Sequence, residues 1–240
     1  ESSDTFDAIE WLLKNVPHHN GRVGQSGISY PGFYSSAGSI DAHPALKAVS
    51  PQAPIADVFW DDFHHNGVFT QGYFWNLPIF GTGPNKPTET DWYTLFDKPT
   101  PDAYDFYKRG GTLKQLGDKY YKDNFLWKEL TEHPNYDSFW QSRRIVKHMR
   151  NLKPAYLVVG GWFDAEDLYG VLTTYKEIER NNPGVYNVIT MGPFGHGDWS
   201  QEDGHLGAKV AVLKALGSNP KLPFFAVLSQ GFPRLVTVNA

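Results

Sequence analysis

The chain of 240 residues contains no cysteine. That excludes disulfides, a thiolate nucleophile and any zinc site built on cysteine. It has no basic run, and its formal net charge is −4 with histidine neutral. Nucleic acid is therefore not an expected partner. No apolar stretch approaches the roughly 20 residues of a membrane-spanning helix, so no membrane partner is expected either. No signal-peptide pattern opens the chain, which starts directly on a helix-like stretch, residues 4–15, with Ser3 or Asp4 placed to cap it. Such a start, just ahead of a buried strand, is expected of a fragment of a longer chain. What is abundant is aromatic: 8 Trp, 13 Tyr and 16 Phe, many of them between Phe59 and Trp140.

One stretch organises the rest. Gly21-Arg22-Val23-Gly24-Gln25-Ser26 reads as the run-in of a buried strand, and Phe33 to Ala42 as a small, apolar helix. Between them lies Gly27-Ile28-Ser29-Tyr30-Pro31-Gly32. A serine at a strand-to-helix turn, fenced by glycines, is the layout of a nucleophile elbow. The turn lifts the serine hydroxyl clear of the sheet and aims the next N–H, that of Tyr30, at a developing oxyanion. The second glycine stands one place later than in G-x-S-x-G, with Pro31 in its usual position. An ordinary turn serine is the competing reading.

Further along, Leu46 to Ala53 reads as a short strand, completing a strand–helix–strand unit. From 57 to 151 strand alternation stops, and three helices are predicted at 104–107, 113–125 and 136–149. Ninety-odd residues are too many for a loop, so a helical cap inserted into the fold is expected. Ala155 to Gly161 and Tyr186 to Met191 are buried strands flanking a helix at 168–180, and a further helix is predicted at 206–216. Continuous apolar strands alternating with helices indicate an α/β fold, a mostly parallel sheet covered on both faces. The expected organisation is an α/β-hydrolase-like core at 1–56 and 152–223, a cap at 57–151 and the opening of a β domain at 224–240.

In such sheets chemistry sits at the carboxyl ends of the strands. Asp164 follows Val159-Gly160-Gly161-Trp162-Phe163, and His196 follows Met191-Gly192-Pro193-Phe194-Gly195. The order Ser29, Asp164, His196 is that of α/β-hydrolases: nucleophile, orienting acid, base. Asp164 is also placed to cap the next helix, with Glu166 or Asp167 as the acid instead, and His205 is an alternative base. The pairs His64-His65 and His18-His19 lack companions at ligand spacing, so no metal is expected. Gly81 to Asn85 has no lysine at phosphate-loop spacing and reads as a turn. The aromatics from Phe59 to Trp75 read as core between cap and sheet, or as the wall of an acyl pocket.

The three strand-end motifs together resemble the cocaine esterase / X-Pro dipeptidyl-peptidase family of serine hydrolases, whose elbow is G-x-S-Y-x-G. His43 to Lys47, Asp61 to Gly67 and Tyr136 to Trp140 resemble segments of its α-amino acid ester hydrolase branch. The resemblance runs over residues 1–200. It implies Ser29 as nucleophile, Asp164 as acid, His196 as base and the Tyr30 N–H as one oxyanion donor, with no cofactor. The second donor of the family lies on an early loop with no counterpart here. The branch holds its substrate's ammonium group with carboxylates, for which Asp61, Asp62 and Asp137 are candidates, Asp137 being equally well placed to cap a helix. Trp162 is a further substrate-binding candidate. The implied substrates are small esters, amides or short peptides, by an esterase, amino ester hydrolase or X-Pro peptidase activity, and the implied location is periplasmic or secreted. A piece without turnover is the contrasting expectation, and an open sheet edge predicts self-association.

Overall fold

The structure is a computed structural model that describes residues 1–200 apart from 82, 84, 85, 91, 92 and 95. The helix expected at 206–216, the two β segments expected near Phe224 and Leu235, the alternative base His205 and most of the Gly81–Asn85 turn lie outside the described residues.

Helix α1 (Ser2–Asn15) is followed by β1 (Val23–Ile28), α2 (Tyr30–Gly38) and β2 (Leu46–Gln52). A π-helical turn (Phe59–Phe63), a hairpin of β3 (His64–His65) and β4 (Val68–Phe69), a 3-10 turn (Gln71–Trp75) and α3 (Leu77–Phe80) come next. Then come α4 (Ala103–Gly110), α5 (Leu113–Tyr120), α6 (Phe125–Glu132) and α7 (Ser138–Arg143). The described chain closes with a 3-10 turn (Ile145–His148), β5 (Ala155–Gly161), α8 (Leu168–Asn181), β6 (Asn187–Gly192) and a 3-10 turn (Asp198–Ser200). It forms two compact units, one of residues Glu1–Asp61 with Arg144 onward, the other Asp62–Arg143.

The first unit is a sheet in the order β1-β2-β5-β6, and all three pairings are parallel. A parallel sheet covered by helices is the α/β architecture expected of a hydrolase core. Val49, Tyr156 and Val158 of the sheet pack with Ile9 of α1, Ala37 of α2 and Val171 and Ile178 of α8 in one buried cluster. The register sets Ile28 opposite Gln52, Gln52 opposite Val159 and Gly161 opposite Gly192, so the carboxyl ends of the strands finish side by side.

Local chemistry moves several expected boundaries. α1 begins at Ser2 and is not capped by Ser3 or Asp4, which lie inside it; the Ser2 hydroxyl instead donates to Ile40 O at 2.6 Å. Its only buried residue is Ile9, while Trp11 and Leu12 are exposed. α2 ends at Gly38, earlier than expected.

The second unit is built on aromatic packing and helix caps. Phe74 is fully buried and meets the rings of Tyr121 at 4.7 Å, Trp127 at 5.3 Å, Phe96 at 5.4 Å and Phe106 at 5.6 Å. The helix expected at 113–125 ends at Tyr120, and a further helix that was not expected, α6, follows it. Thr112 and Gln115 form a capping box at the start of α5, and Asn124 starts α6 by accepting from the Trp127 N–H at 2.9 Å. The helix expected at 136–149 is broken into α7 and a 3-10 turn.

Candidate active site

β1 enters the elbow as a strand and α2 leaves it as a helix, and the turn between them is one residue, Ser29, at φ 66° and ψ −125°. A non-glycine residue in that region costs energy and persists only where the surroundings enforce it. Here the Ser29 N–H donates to Gln52 O at 2.9 Å and Ser29 O accepts from the Phe33 N–H at 2.9 Å, so neighbouring strand and following helix hold both ends. The two flanking glycines are steric requirements. A Cβ on Gly27 would strike the Pro31 carbonyl, and one on Gly32 would strike the Gln52 carbonyl. The late position of the second glycine is thus where α2 crosses closest to β2. Pro31 sits in the first turn of α2, where a missing N–H costs nothing.

The Ser29 side chain does not cap α2, and among the described residues its hydroxyl makes no hydrogen bond. It is therefore not a conventional capping serine. The Tyr30 N–H belongs to the first turn of α2, whose amides have no acceptor within the helix.

Asp164 lies past β5 with its side chain buried. One carboxylate oxygen, Oδ2, accepts from His196 Nδ1 at 2.9 Å; the other, Oδ1, accepts from the Glu166 and Asp167 N–H groups at 2.9 and 3.0 Å. The two readings of this residue, cap and partner of His196, are both satisfied, one by each oxygen. Burial alone would raise its pKa. The His196 hydrogen bond, with the Asp167 and Glu166 amides, outweighs burial and holds the carboxyl below its usual range. The alternative acids lie farther off: Asp167 Oδ2 is 3.6 Å from Nδ1, and Glu166 Oε2 is 3.7 Å from Nε2.

The His196 loop is anchored to the elbow side of the sheet by residues that sequence reasoning missed. The Gly195 N–H donates to Asp198 Oδ2 at 2.8 Å. Trp199 is buried against Phe194, and its indole N–H reaches Gln52 Oε1 at 2.7 Å. Gln52 thereby grips the loop with its side chain and Ser29 with its backbone carbonyl. Gly197, at φ 76°, comes so near the residue before Ser29 that a Cβ on it would lie 3.5 Å from Ile28 Cγ2. The signal for this anchor was an Asp and a Trp within three residues of the histidine, in a glycine-rich turn.

The carboxylates considered for an ammonium group each have partners of their own. Asp61, in the first unit, is buried and accepts from the Ala56 and Asp57 N–H groups at 2.8 and 3.0 Å. Asp62, in the second unit, accepts from the Tyr73 hydroxyl. Asp137 accepts from His133 Nδ1 at 2.7 Å and from the Phe139 N–H at 3.0 Å, and its backbone carbonyl accepts from Gln141 N–H. It is occupied as a helix start. Trp162 is 55% exposed beside Asp164, and its N–H donates to Gly192 O at 2.8 Å. His64 is buried and His65 exposed, as adjacent strand residues must be. Among the described residues, Glu166, Asp167 and His196 form a group whose donor atoms lie within 4.8 Å of one another. A cavity of about 690 Å³ in the second unit, lined by Phe96, Tyr120, Tyr121 and Lys122 among others, contains none of these site residues.

Comparison with known proteins now bears on this geometry. Residues 1–198 match the family model described as X-Pro dipeptidyl-peptidase (S15 family). A curated relative, the cocaine esterase of Rhodococcus sp. (strain MB1 Bresler), is 22% identical over 210 residues, covering 82% of this chain and 34% of the esterase. Among solved structures, an aminopeptidase from a marine sediment archaeon, Thaumarchaeota archaeon, superposes with a TM-score of 0.75 at 34% identity, over 98% of this chain and 39% of its own. An α-amino acid ester hydrolase superposes with a TM-score of 0.74 at 29% identity, again over 98% and 39%. This chain thus spans little more than a third of the length of these relatives. With the elbow resemblance, the fold and a family match over most of its length in agreement, the chain belongs to the X-Pro dipeptidyl-peptidase (S15) family of hydrolases, which cleave ester or peptide bonds.

Proposed function

We propose that the chain carries the serine-hydrolase centre of an enzyme that cleaves an ester or amide acyl bond through an acyl-enzyme. The observation that carries this reading is the 2.9 Å hydrogen bond between Asp164 and His196 Nδ1, on loops tied by Gln52 to the strained elbow of Ser29. With Nδ1–H held by Asp164, the other ring nitrogen of His196 is left as the base. Ser29 Oγ attacks the acyl carbon and its proton passes to Nε2. The Tyr30 N–H steadies the oxyanion. Nε2 then returns the proton to the departing alkoxide or amine as the acyl bond to it breaks. Water repeats the sequence, releasing the acid and restoring Ser29.

The names of the two solved relatives, an aminopeptidase and an α-amino acid ester hydrolase, favour acyl groups with a free α-amine. The carboxylates of Asp164, Glu166 and Asp167 around His196 point the same way, because they repel anionic substrates. Hydrolysis of X-Pro peptides is a second reading, favoured by the family description alone. Turnover of an alanine anilide against an alanyl-proline anilide separates the two.

A fluorophosphonate tests the centre itself. The expected result is a single adduct, mapped to Ser29, with ester turnover lost by at least about 10⁴-fold in Ser29→Ala. Turnover retained in that variant would overturn the assignment.

A further inference from the structure

Three carboxylates face one imidazole, and they do not face the same edge of it. Asp164 Oδ2 at 2.9 Å and Asp167 Oδ2 at 3.6 Å lie at Nδ1; Glu166 Oε2 lies at Nε2, 3.7 Å away. Nδ1 keeps its proton throughout the reaction proposed above, so the two aspartates fix the tautomer of the ring and stabilise its cationic form from that edge. Nε2 is the atom that must be unprotonated before Ser29 can react. We propose that Glu166 sets the proton occupancy of His196 Nε2, and with it the pH at which the base becomes competent. The inference deepens, and as a gate on Ser29 rests on, the hydrolase reading.

The physical argument is charge against charge. A carboxylate within about 4 Å favours the protonated, cationic imidazole over the neutral one. While the proton stays on Nε2, the ring has two N–H donors and no lone pair to take the Ser29 proton. Glu166 is not placed there by chance rotation of a free loop: its own N–H donates to Asp164 Oδ1 at 2.9 Å, so the residue that holds Nδ1 also fixes the backbone presenting charge to Nε2. The other charged or titratable neighbours leave this argument intact. Asp198, on the histidine's own loop, has its Oδ2 on the Gly195 N–H. Ser29 and Tyr30 on the elbow bring hydroxyls and no carboxylate or ammonium group. The Glu166 side chain is 37% exposed while that of Asp167 is wholly buried, so of the two it is the charge that solvent and salt reach. Glu166 is therefore a positioning and tuning residue that acts through His196, and the side chain by which ionic strength acts on the base.

The test is the pH profile of kcat/KM for a neutral acetyl ester, with the chain in its natural length, for the parent, Glu166→Gln and Glu166→Asp. The expected result is an acid limb displaced downward by about one pH unit in Glu166→Gln, a roughly tenfold gain on that limb, with the high-pH plateau within about twofold. Glu166→Asp should retain most of the parental midpoint, and added salt should move the parent toward Glu166→Gln. A second readout does not depend on turnover: the His196 ring titration followed by NMR in the Ser29→Ala background, with and without Glu166→Gln. The midpoint should fall in the same direction. An unmoved midpoint in that titration, or a kcat/KM profile scaled equally at all pH values, overturns the proposal. If the ring titration shifts but the parent hydrolyses nothing, the electrostatic assignment stands and the hydrolase reading fails.

Discussion

The two units of this chain are stabilised by different means, and the contrast shows where sequence constraint comes from. In the sheet unit the demanding positions are backbone positions. Gly27 and Gly32 leave no room for a Cβ, Ser29 sits at φ 66°, and Gln52 binds two loops at once. In the second unit the demanding positions are side chains: Phe74 at the centre of a ring cluster, and Thr112 and Asn124 as helix caps. The first kind of constraint fixes the proposed reacting groups closely, as catalysis requires. The second fills volume, and tolerates change in proportion to the volume changed.

The largest expected effect breaks the sheet unit's proposed function without breaking its fold. In Asp164→Asn the remaining oxygen can still accept from the Glu166 and Asp167 amides, which leaves the amide NH₂ facing His196 Nδ1. Nδ1 must then accept, the proton moves to Nε2, and the base is lost. Ester turnover should fall by on the order of 10⁴, with the circular dichroism of the folded chain at pH 7 unchanged. A fall of less than tenfold would show that Asp167, already 3.6 Å from Nδ1, serves in its place.

The second unit should respond in stability. Phe74→Ala removes a fully buried ring that meets at least four others, at a cost of about 3–5 kcal/mol. Hydrogen exchange should show it as lost protection in α5 and α6. Protection unchanged there would mean that the aromatic cluster collapses into the space, and the contrast between the units would be weaker than the packing indicates.

How much of this could be read from the sequence follows the same division. Glycines that must be glycine leave a trace at a fixed distance from Ser29, and apolar runs mark β5 and β6, so the fold was legible; β1, read as a buried strand, has no such run and no buried residue, and showed itself only through the elbow that follows it. The partner of His196 was legible only as a short list, because Asp164, Glu166 and Asp167 all lie within four residues; only coordinates assign one oxygen of Asp164 to the ring and the other to the amides. The second unit was read coarsely. Asn124 fell near the end of the helix read at 113–125, and nothing local says that its side chain will start a further helix by accepting from the Trp127 N–H. The Asn66-Gly67 pair between His64-His65 and Val68-Phe69 was a hairpin signal left unread; both residues take positive φ in a two-residue turn. Asp137 could be read as a helix cap or as an acid for an amine; the coordinates put its oxygens on His133 Nδ1 and on the Phe139 N–H.

Acid pH offers a subtler comparison, since Asp164 in the first unit and Asp137 in the second each hold a histidine and both carboxyls are held below their usual range. For Asp137 the leading cause is the His133 hydrogen bond; for Asp164, burial opposes the charge and the His196 bond and two amides override it. A carboxyl whose pKa is depressed in the folded state contributes stability that is present above its unfolded value, near 3.9, and is lost as pH falls through the lower folded value. Both pairs therefore destabilise the chain in the same window, below about pH 4. They should not do so equally. Asp164 is 5% exposed and surrounded by protein, whereas the Asp137 side chain is 42% exposed, so solvent screens its attraction to His133. Urea midpoints measured between pH 5 and pH 2.5 should fall less steeply in Asp164→Asn than in the parent, because the variant has no proton to take up there. Asp137→Asn should reproduce the parental slope nearly unchanged. Equal flattening by the two substitutions would mean that exposure does not distinguish them, and that the second unit, like the first, draws on charge for its stability as well as on packed rings.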